Sequence, residues 1–180
     1  MYLSYFMTDE ERNKIYAAYG KAVMWHNNAE FILEQFLAFE LSKIKNTNPV
    51  VELVDLRKRG PEFGGKMKIF REDLLSSKSD VRVQSIYDAF DKVSENRNYL
   101  AHVSTGEAGT LDATKVFQPT GFVLMEWRKK DGTVVPQQPL TEKLLSDITE
   151  TAAMPILLIQ EYWVPAEYRT VTPTVPPEKA

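Results

Sequence analysis

The sequence predicts a mainly α-helical domain with a small antiparallel β-hairpin before its last helix. On both sides of the middle of the chain, apolar residues recur every three or four positions, as in amphipathic helices. Residues 113–135 are instead rich in β-branched and aromatic residues, with a hairpin turn signal at Lys130–Gly132. With 180 residues and 43% hydrophobic residues, the chain suits one domain with a substantial core.

The first helix is predicted from Thr8 to about Lys45. Thr8 and Glu11 have the spacing of a capping box. The apolar stripe that follows includes His26, which is interpreted as a hydrogen-bonded core or rim residue, with a position facing a cleft as the alternative. Gly20 and the stretch 26–30 weaken the pattern, so the sequence allows one long helix or two.

Three further helical segments are predicted before the hairpin. One covers 50–59 and ends at Gly60–Pro61, and another covers about 63–76. Ser79–Asp80 is a cap for the next helix, whose apolar face runs from Val83 to Leu100 and which ends near position 103. Arg97 falls on that apolar face, where an aliphatic residue is expected.

The hairpin is predicted at about 109–138, and Thr141 then begins a final helix that runs to about Trp163. Pro155 is expected to kink or split this helix, because proline lacks the backbone donor. A single domain over 1–164 is therefore predicted, followed by a proline-rich flexible tail at 165–180.

The amino-acid composition excludes several kinds of functional site. The chain has no cysteine, which excludes disulfides, thiolate nucleophiles and cysteine-based zinc sites and fits a reducing, cytoplasmic setting. With only two histidines, neither a metal nor a cofactor is expected. The net charge of -3 means that any contact with nucleic acid is local. No signal-peptide pattern or apolar run of roughly 20 residues is present, so no membrane association is expected.

The stretch with the most specific chemistry is Arg97-Asn98-Tyr99-Leu100-Ala101-His102, at a predicted helix end. It resembles the Arg-x4–6-His motif of HEPN domains (higher eukaryotes and prokaryotes nucleotide-binding), in which a polar residue commonly follows the arginine. The long first helix, a short basic helix and the motif helix come in an order similar to that family. The resemblance covers roughly 8–104 and the last helix, whereas the hairpin at 109–138 departs from it as an insertion.

The resemblance implies a HEPN-like antiparallel helical bundle and a metal-independent endoribonuclease of toxin or phage-defence type. Arg97 and His102 would be catalytic, with Asn98 orienting the phosphate. An imidazole exchanges protons near neutral pH, and a guanidinium can hold two phosphate oxygens. The product would be a 2′,3′-cyclic phosphate.

Residues 57–71 carry six basic side chains and one acidic one. Lys66, Lys68 and Arg71 are the predicted substrate-binding residues in this run, which would guide an RNA backbone. A solvated basic face is the alternative.

Positions 97 and 102 lie roughly 140° apart on a regular helix, so one helix does not place both side chains on one face. A homodimer joined through the motif helices would bring one Arg and one His from each chain to a shared cleft, as is common in the family. RNA is the expected substrate and an antitoxin protein a candidate partner.

Two rival interpretations stay open at the level of sequence. The chain could be a non-catalytic HEPN-like homodimer that binds nucleotide, RNA or a protein, or a generic helical interaction protein with an accidental motif. In the latter, His102 is a cation at a helix C-terminus, and Arg97 pairs with Glu95 or Asp91.

Overall fold

The computed structural model describes residues 8–101, 105–111, 117–124, 127–128, 134–135 and 138–164. Its helices are α1 (Asp9–Lys45), α2 (Pro49–Arg59), α3 (Phe63–Ile69), α4 (Val81–Ala101) and α5 (Glu142–Trp163), and α3 continues into a π-helical segment (Phe70–Leu75). The strands are β1 (Thr105–Leu111), β2 (Phe117–Leu124), β3 (Trp127–Arg128), β4 (Val134–Val135) and β5 (Gln138–Pro139). The described chain is thus a mainly helical bundle, as the sequence predicts.

The first helix is one unbroken element. The predicted capping box is confirmed at its start, where the Glu11 amide donates to Thr8 Oγ1 over 3.2 Å and the Thr8 amide donates to Glu11 Oε2 over 2.7 Å. The helix passes through Gly20 without interruption and ends at Asn46, which adopts the left-handed conformation with φ 54° and ψ 48°. Packing of Ala22, Ala29 and Leu33 into the core before, within and after the weak stretch accounts for this continuity.

Three long helices form the frame. Near its start α1 contacts the end of α4, and near its end it contacts Lys78, just before α4 begins. These two helices are therefore antiparallel. In contrast, α1 and α5 run parallel, because Ala22 packs with Leu145 near both starts and Glu40 meets Trp163 near both ends. The predicted antiparallel arrangement therefore holds for α4 with α1 and for α4 with α5, whereas α1 and α5 are parallel.

Two hydrophobic clusters fill the bundle. The larger one lies between α1, α3 and α4, and includes Phe36, Phe63, Phe70 and Phe90. The smaller one lies where α4 ends and α5 begins. The predicted apolar face of α4 is confirmed, because Val83, Ile86, Phe90, Val93 and Leu100 are all buried.

The last helix begins where predicted, and of the two effects expected of its proline, the split does not occur. Leu144 donates its amide to Thr141 Oγ1 over 3.1 Å, so the predicted start is confirmed. Pro155 lies inside α5, and the helix continues from Glu142 to Trp163 without being split. Burial of Ala152 and Ile159 on both sides of the proline holds the two halves in one element.

Between α4 and α5, β1 and β2 pair antiparallel from Thr105↔Leu124 to Leu111↔Phe117, and β5 joins the free side of β2. A second pair joins β3 to β4. The first strand begins at Thr105, before the predicted start of the hairpin at 109. The predicted turn at Lys130–Gly132 and the predicted tail at 165–180 lie outside the described residues.

Candidate functional site

The end of α4 is held in place from two sides. Leu100 is buried in the smaller cluster with Ala22 from α1 and with Leu145 and Ile148 from α5. Its carbonyl oxygen, which the last turn of a helix leaves without an intrahelical donor, accepts a hydrogen bond of 3.2 Å from the Tyr19 hydroxyl. The last described turn of α4, which carries Leu100, is therefore anchored between α1 and α5.

The structure gives the backbone of most motif residues but few of their side chains. Arg97 and Asn98 lie within α4, and position 97 falls between buried Val93 and Leu100 on the inward face. The side chains of residues 97–99 lie outside the described part of the chain, as does all of His102, which follows the last helical residue, Ala101. The convergence of Arg97 and His102 thus stays a prediction.

Lys66 lies inside the fold, and its side chain is 2% exposed. It donates to Glu30 Oε1 over 2.6 Å and to the Pro61 carbonyl over 3.2 Å, and its Nζ is 3.0 Å from Glu34 Oε1. Three acceptors match the three donors of an ammonium group. This lysine, predicted to bind substrate, instead joins α3 to α1 in the interior.

A close approach of two glycines sets the position of Lys66. A Cβ added to Gly65 would lie 2.8 Å from the Gly60 Cα, and one added to Gly60 would lie 3.0 Å from the Lys66 amide nitrogen. The backbone at the end of α2 therefore touches the start of α3, and only residues without a side chain allow this contact. The pair directs α3 so that its lysine faces α1.

Arg57 pairs with Glu34 from the surface, where its own side chain is 56% exposed. Its Nε and Nη2 donate to Glu34 Oε2 over 3.0 and 2.9 Å. Burial alone would raise the pKa of Glu34, but hydrogen bonds from Lys66 and Arg57 outweigh it and hold the pKa below its usual value. Glu34 is therefore a charged partner within the fold.

Lys68 and Arg71 lie on the surface, with side chains 67% and 63% exposed. Their charged ends lie 4.0 and 3.6 Å from carboxylate oxygens of Glu72. In addition, Arg59 donates to Asp73 over 2.7 Å. The basic run 57–71 is thus largely offset by carboxylates that the fold places beside it, and Lys68 and Arg71 are the predicted substrate-binding residues that stay accessible.

The structure separates these two cations from the motif along α4. Phe70 packs against Tyr87 with ring centroids 5.3 Å apart, and Phe63 packs against Phe90 at 6.4 Å. The α3 region therefore contacts α4 seven to ten residues, or ~10–15 Å along the helix, before position 97. Lys68 and Arg71 belong to this region of the chain.

A second polar cluster surrounds Glu40, which is 1% exposed. Lys43 and Lys78 each donate to its carboxylate over 2.8 Å, the Tyr162 hydroxyl donates over 3.3 Å, and Trp163 Nε1 lies at 3.5 Å. Burial would raise the pKa of Glu40, but the lysines lower it below its usual value. In the sequence, the one sign of this cluster is that Glu40 interrupts the apolar stripe of α1. The cluster itself could not be predicted, because most partners of Glu40 lie far from it along the chain.

A groove of about 810 Å³ lies beside this Glu40 cluster, between α1, α2 and the end of α5. Its lining residues are Gln35, Ala38, Phe39, Lys43, Pro49, Val50, Leu53, Arg82, Tyr162 and Trp163. Most of them are apolar or aromatic, and the two charged ones are both cationic. The groove could not be predicted from the sequence, because its lining comes from four separate segments of the chain.

His26 is buried, and its Nδ1 lies 3.1 Å from the Ala22 carbonyl oxygen. This agrees with the interpretation of a hydrogen-bonded core residue. Within the described residues, no group of three or more acidic or histidine side chains has the arrangement of a metal site. None of the described helices combines the length and apolar character that crossing a membrane requires.

Comparisons with protein-family models, with curated proteins and with solved structures found no match to this chain.

Proposed function

We propose that the chain is a metal-independent endoribonuclease of HEPN toxin or phage-defence type that acts in the cytoplasm. The observation that carries the proposal is the Arg-Asn-x-x-Ala-His stretch, of which residues 97–101 lie in α4, where Tyr19 and the smaller hydrophobic cluster anchor Leu100. A fixed backbone supports catalysis, because small displacements of a reacting group reduce rates strongly.

In the proposed reaction, His102 of one chain takes the proton from a ribose 2′-hydroxyl. The 2′-oxygen forms a bond to the adjacent phosphorus, and the bond from phosphorus to the 5′-oxygen breaks. His102 of the other chain gives its proton to the departing 5′-oxygen. The products are a 2′,3′-cyclic phosphate and a 5′-hydroxyl, and each acid–base step contributes about 10²–10⁴-fold.

Arg97 binds the nonbridging phosphate oxygens and stabilises the charge that develops on them. Asn98 orients the phosphate or the imidazole. The offset of roughly 140° between positions 97 and 102 supports a site shared by two chains across a two-fold axis. The motif helices would then form the homodimer interface.

Lys68 and Arg71 would contact RNA phosphates away from the cleavage site, since the helix region that carries them packs on α4 ~10–15 Å before position 97. Lys66 has no part in this proposal, because Glu30, Glu34 and Pro61 already accept its three hydrogen bonds. An antitoxin protein would act by covering the shared cleft.

The test is to incubate the purified protein with RNA in excess EDTA and to identify cyclic-phosphate ends. Activity should persist in EDTA and be lost in both Arg97→Ala and His102→Ala, whereas Lys92→Ala, which removes an exposed cation on the same helix, should stay active. A folded dimer that cleaves no RNA would instead indicate the non-catalytic binding module.

A further inference from the structure

We propose that the groove beside the Glu40 cluster binds a small amphipathic anion, with an apolar body and one carboxylate or phosphate group. Its volume of about 810 Å³ falls in the range of ligand pockets, which are typically apolar with a few placed polar groups. It is built from four segments held together by packing rather than from one loop.

The apolar body would lie on an exposed apolar surface. Phe39, Val50 and Trp163 all line the groove while remaining substantially exposed to solvent. The rings of Phe39 and Trp163 meet edge to face at 5.6 Å, which fixes one wall. Covering such a surface with an apolar ligand removes it from water and stabilises the complex.

The charge of the ligand follows from the groove's cations. Lys43 and Arg82 carry the charge of the lining, and each is half or more exposed. Their partners, Glu40 and Asp80, leave them further donors, since an ammonium has three and a guanidinium five. Lys78 is a further cation beside Glu40, and the lining residues of the groove include no carboxylate. A negative group would be attracted to this edge, and a positive one repelled.

The location separates this ligand from the proposed RNA substrate. Phe39 lies twenty residues beyond Tyr19 on α1, or ~30 Å along the helix from the anchored motif. The faces of Tyr162 are also engaged, since Lys78 and Arg82 lie 5.1 and 4.9 Å from its ring centroid. The groove is thus a distinct site for a small ligand rather than an extension of the cleavage site.

The probes are octanoate, octanol and octylammonium, which share one alkyl chain and differ in charge. Each is titrated into the full ¹⁵N-labelled chain, and shifts are followed at the amides of Phe39, Val50 and Leu53. Octanoate should bind at least tenfold more tightly than octanol, and octylammonium more weakly than either. Equal affinity for all three would refute the charge assignment, and no shift at these amides would refute the site.

Variants locate the binding. Val50→Asp places a carboxylate in the groove, at a first-turn position of α2 where the helix dipole tolerates it, and should abolish octanoate binding. Val51→Asp is the matched control, one residue along, exposed and outside the lining, and should bind normally. Arg82→Gln should weaken octanoate about three- to tenfold and leave octanol unchanged, whereas Lys92→Gln should change neither.

Two other occupants are separated in the same experiment. Displacement of octanoate by a single-stranded RNA pentamer would make the groove an RNA subsite. Binding to vesicles of anionic lipid without binding of monomeric octanoate would make it a membrane-contact surface. Either result would overturn the small-ligand proposal without bearing on cleavage by Arg97 and His102.

Discussion

Tyr19 on α1 donates its hydroxyl hydrogen bond to the carbonyl oxygen of Leu100, in the last turn of α4, over 3.2 Å. The two residues are 81 positions apart, so the contact exists only in the folded chain. It joins the start of one long helix to the end of another, next to the proposed catalytic motif.

Replacing Tyr19 with phenylalanine should lower the free energy of unfolding by about 1 kcal/mol, because the Leu100 carbonyl loses its donor. Urea denaturation measures the change. Tyr19→Ala, which also removes the ring, should cost about 3 kcal/mol. If Tyr19→Phe unfolds at the same urea concentration as the unmodified chain, the hydroxyl contributes nothing and the anchor is packing of the ring alone.

Lys66→Met should destabilise the protein by about 3 kcal/mol, because it leaves Glu30 and Glu34 facing each other without their shared ammonium. Lys68→Met is the matched control two residues along, with an exposed side chain, and should change stability by less than about 0.5 kcal/mol. Thermal unfolding of the two variants side by side is the measurement. Equal effects would place Lys66 on the surface, contrary to the structure.

Gly64 and Gly65 are neighbours with opposite expected responses to alanine. A Cβ at Gly65 would lie 2.8 Å from the Gly60 Cα, so Gly65→Ala should destabilise by about 1–3 kcal/mol. Gly64 is in α3 with no atom within 4 Å of an added Cβ, so Gly64→Ala should stabilise by about 0.5–1 kcal/mol. The midpoints of urea denaturation of the two variants are the measurement. Stability changes of the same sign in both variants would contradict the close approach of Gly60 and Gly65.

The pH dependence of stability should depend on Glu40. Because hydrogen bonds from Lys43 and Lys78 outweigh burial and hold the pKa of Glu40 in the folded chain below its usual value, its stabilising effect is complete at neutral pH. That effect is lost as pH falls through the lowered folded pKa. Urea denaturation between pH 7 and pH 3 should therefore show a smaller acid-induced loss in Glu40→Gln than in the unmodified chain.

The exposed Glu150→Gln is the control for this experiment, and its acid dependence should match that of the unmodified chain. Lys78 gives no counter-effect in this window, because its pKa is raised above its usual value by Glu40 and Tyr162 against the effect of burial, and it stays charged throughout. An unchanged acid dependence in Glu40→Gln would mean that other carboxylates account for it.

The elements that sequence predicts well are those that local patterns determine. The apolar spacing from Val83 to Leu100 and the caps at Thr8 and Thr141 act within one or two turns, and the structure has them where expected. Continuity of α5 through Pro155 could not be predicted, because it comes from packing of the flanking turns against other helices.

The polar clusters could not be assigned from local sequence for a related reason. Lys66 and Glu30 are 36 positions apart, and Glu40 and Trp163 are 123 apart. The basic run at 57–71 suggested a surface for RNA, but tertiary packing buried one of its lysines and set carboxylates beside others. Charge counted along a sequence therefore overestimates the charge that a surface presents.

Mixing experiments should reveal whether two copies of His102 share one cleft. If the unmodified chain is re-equilibrated with an increasing proportion of His102→Ala at constant total protein concentration, the cleavage rate should fall as the square of the unmodified fraction, because a mixed dimer lacks either the base or the acid. Independent sites would instead give a linear decrease. Mixing with Lys92→Ala, which retains both motif residues, should leave the rate unchanged, and native mass spectrometry confirms that mixed dimers form. A linear decrease with verified exchange would contradict the shared site, since each chain would then cleave RNA with its own histidine.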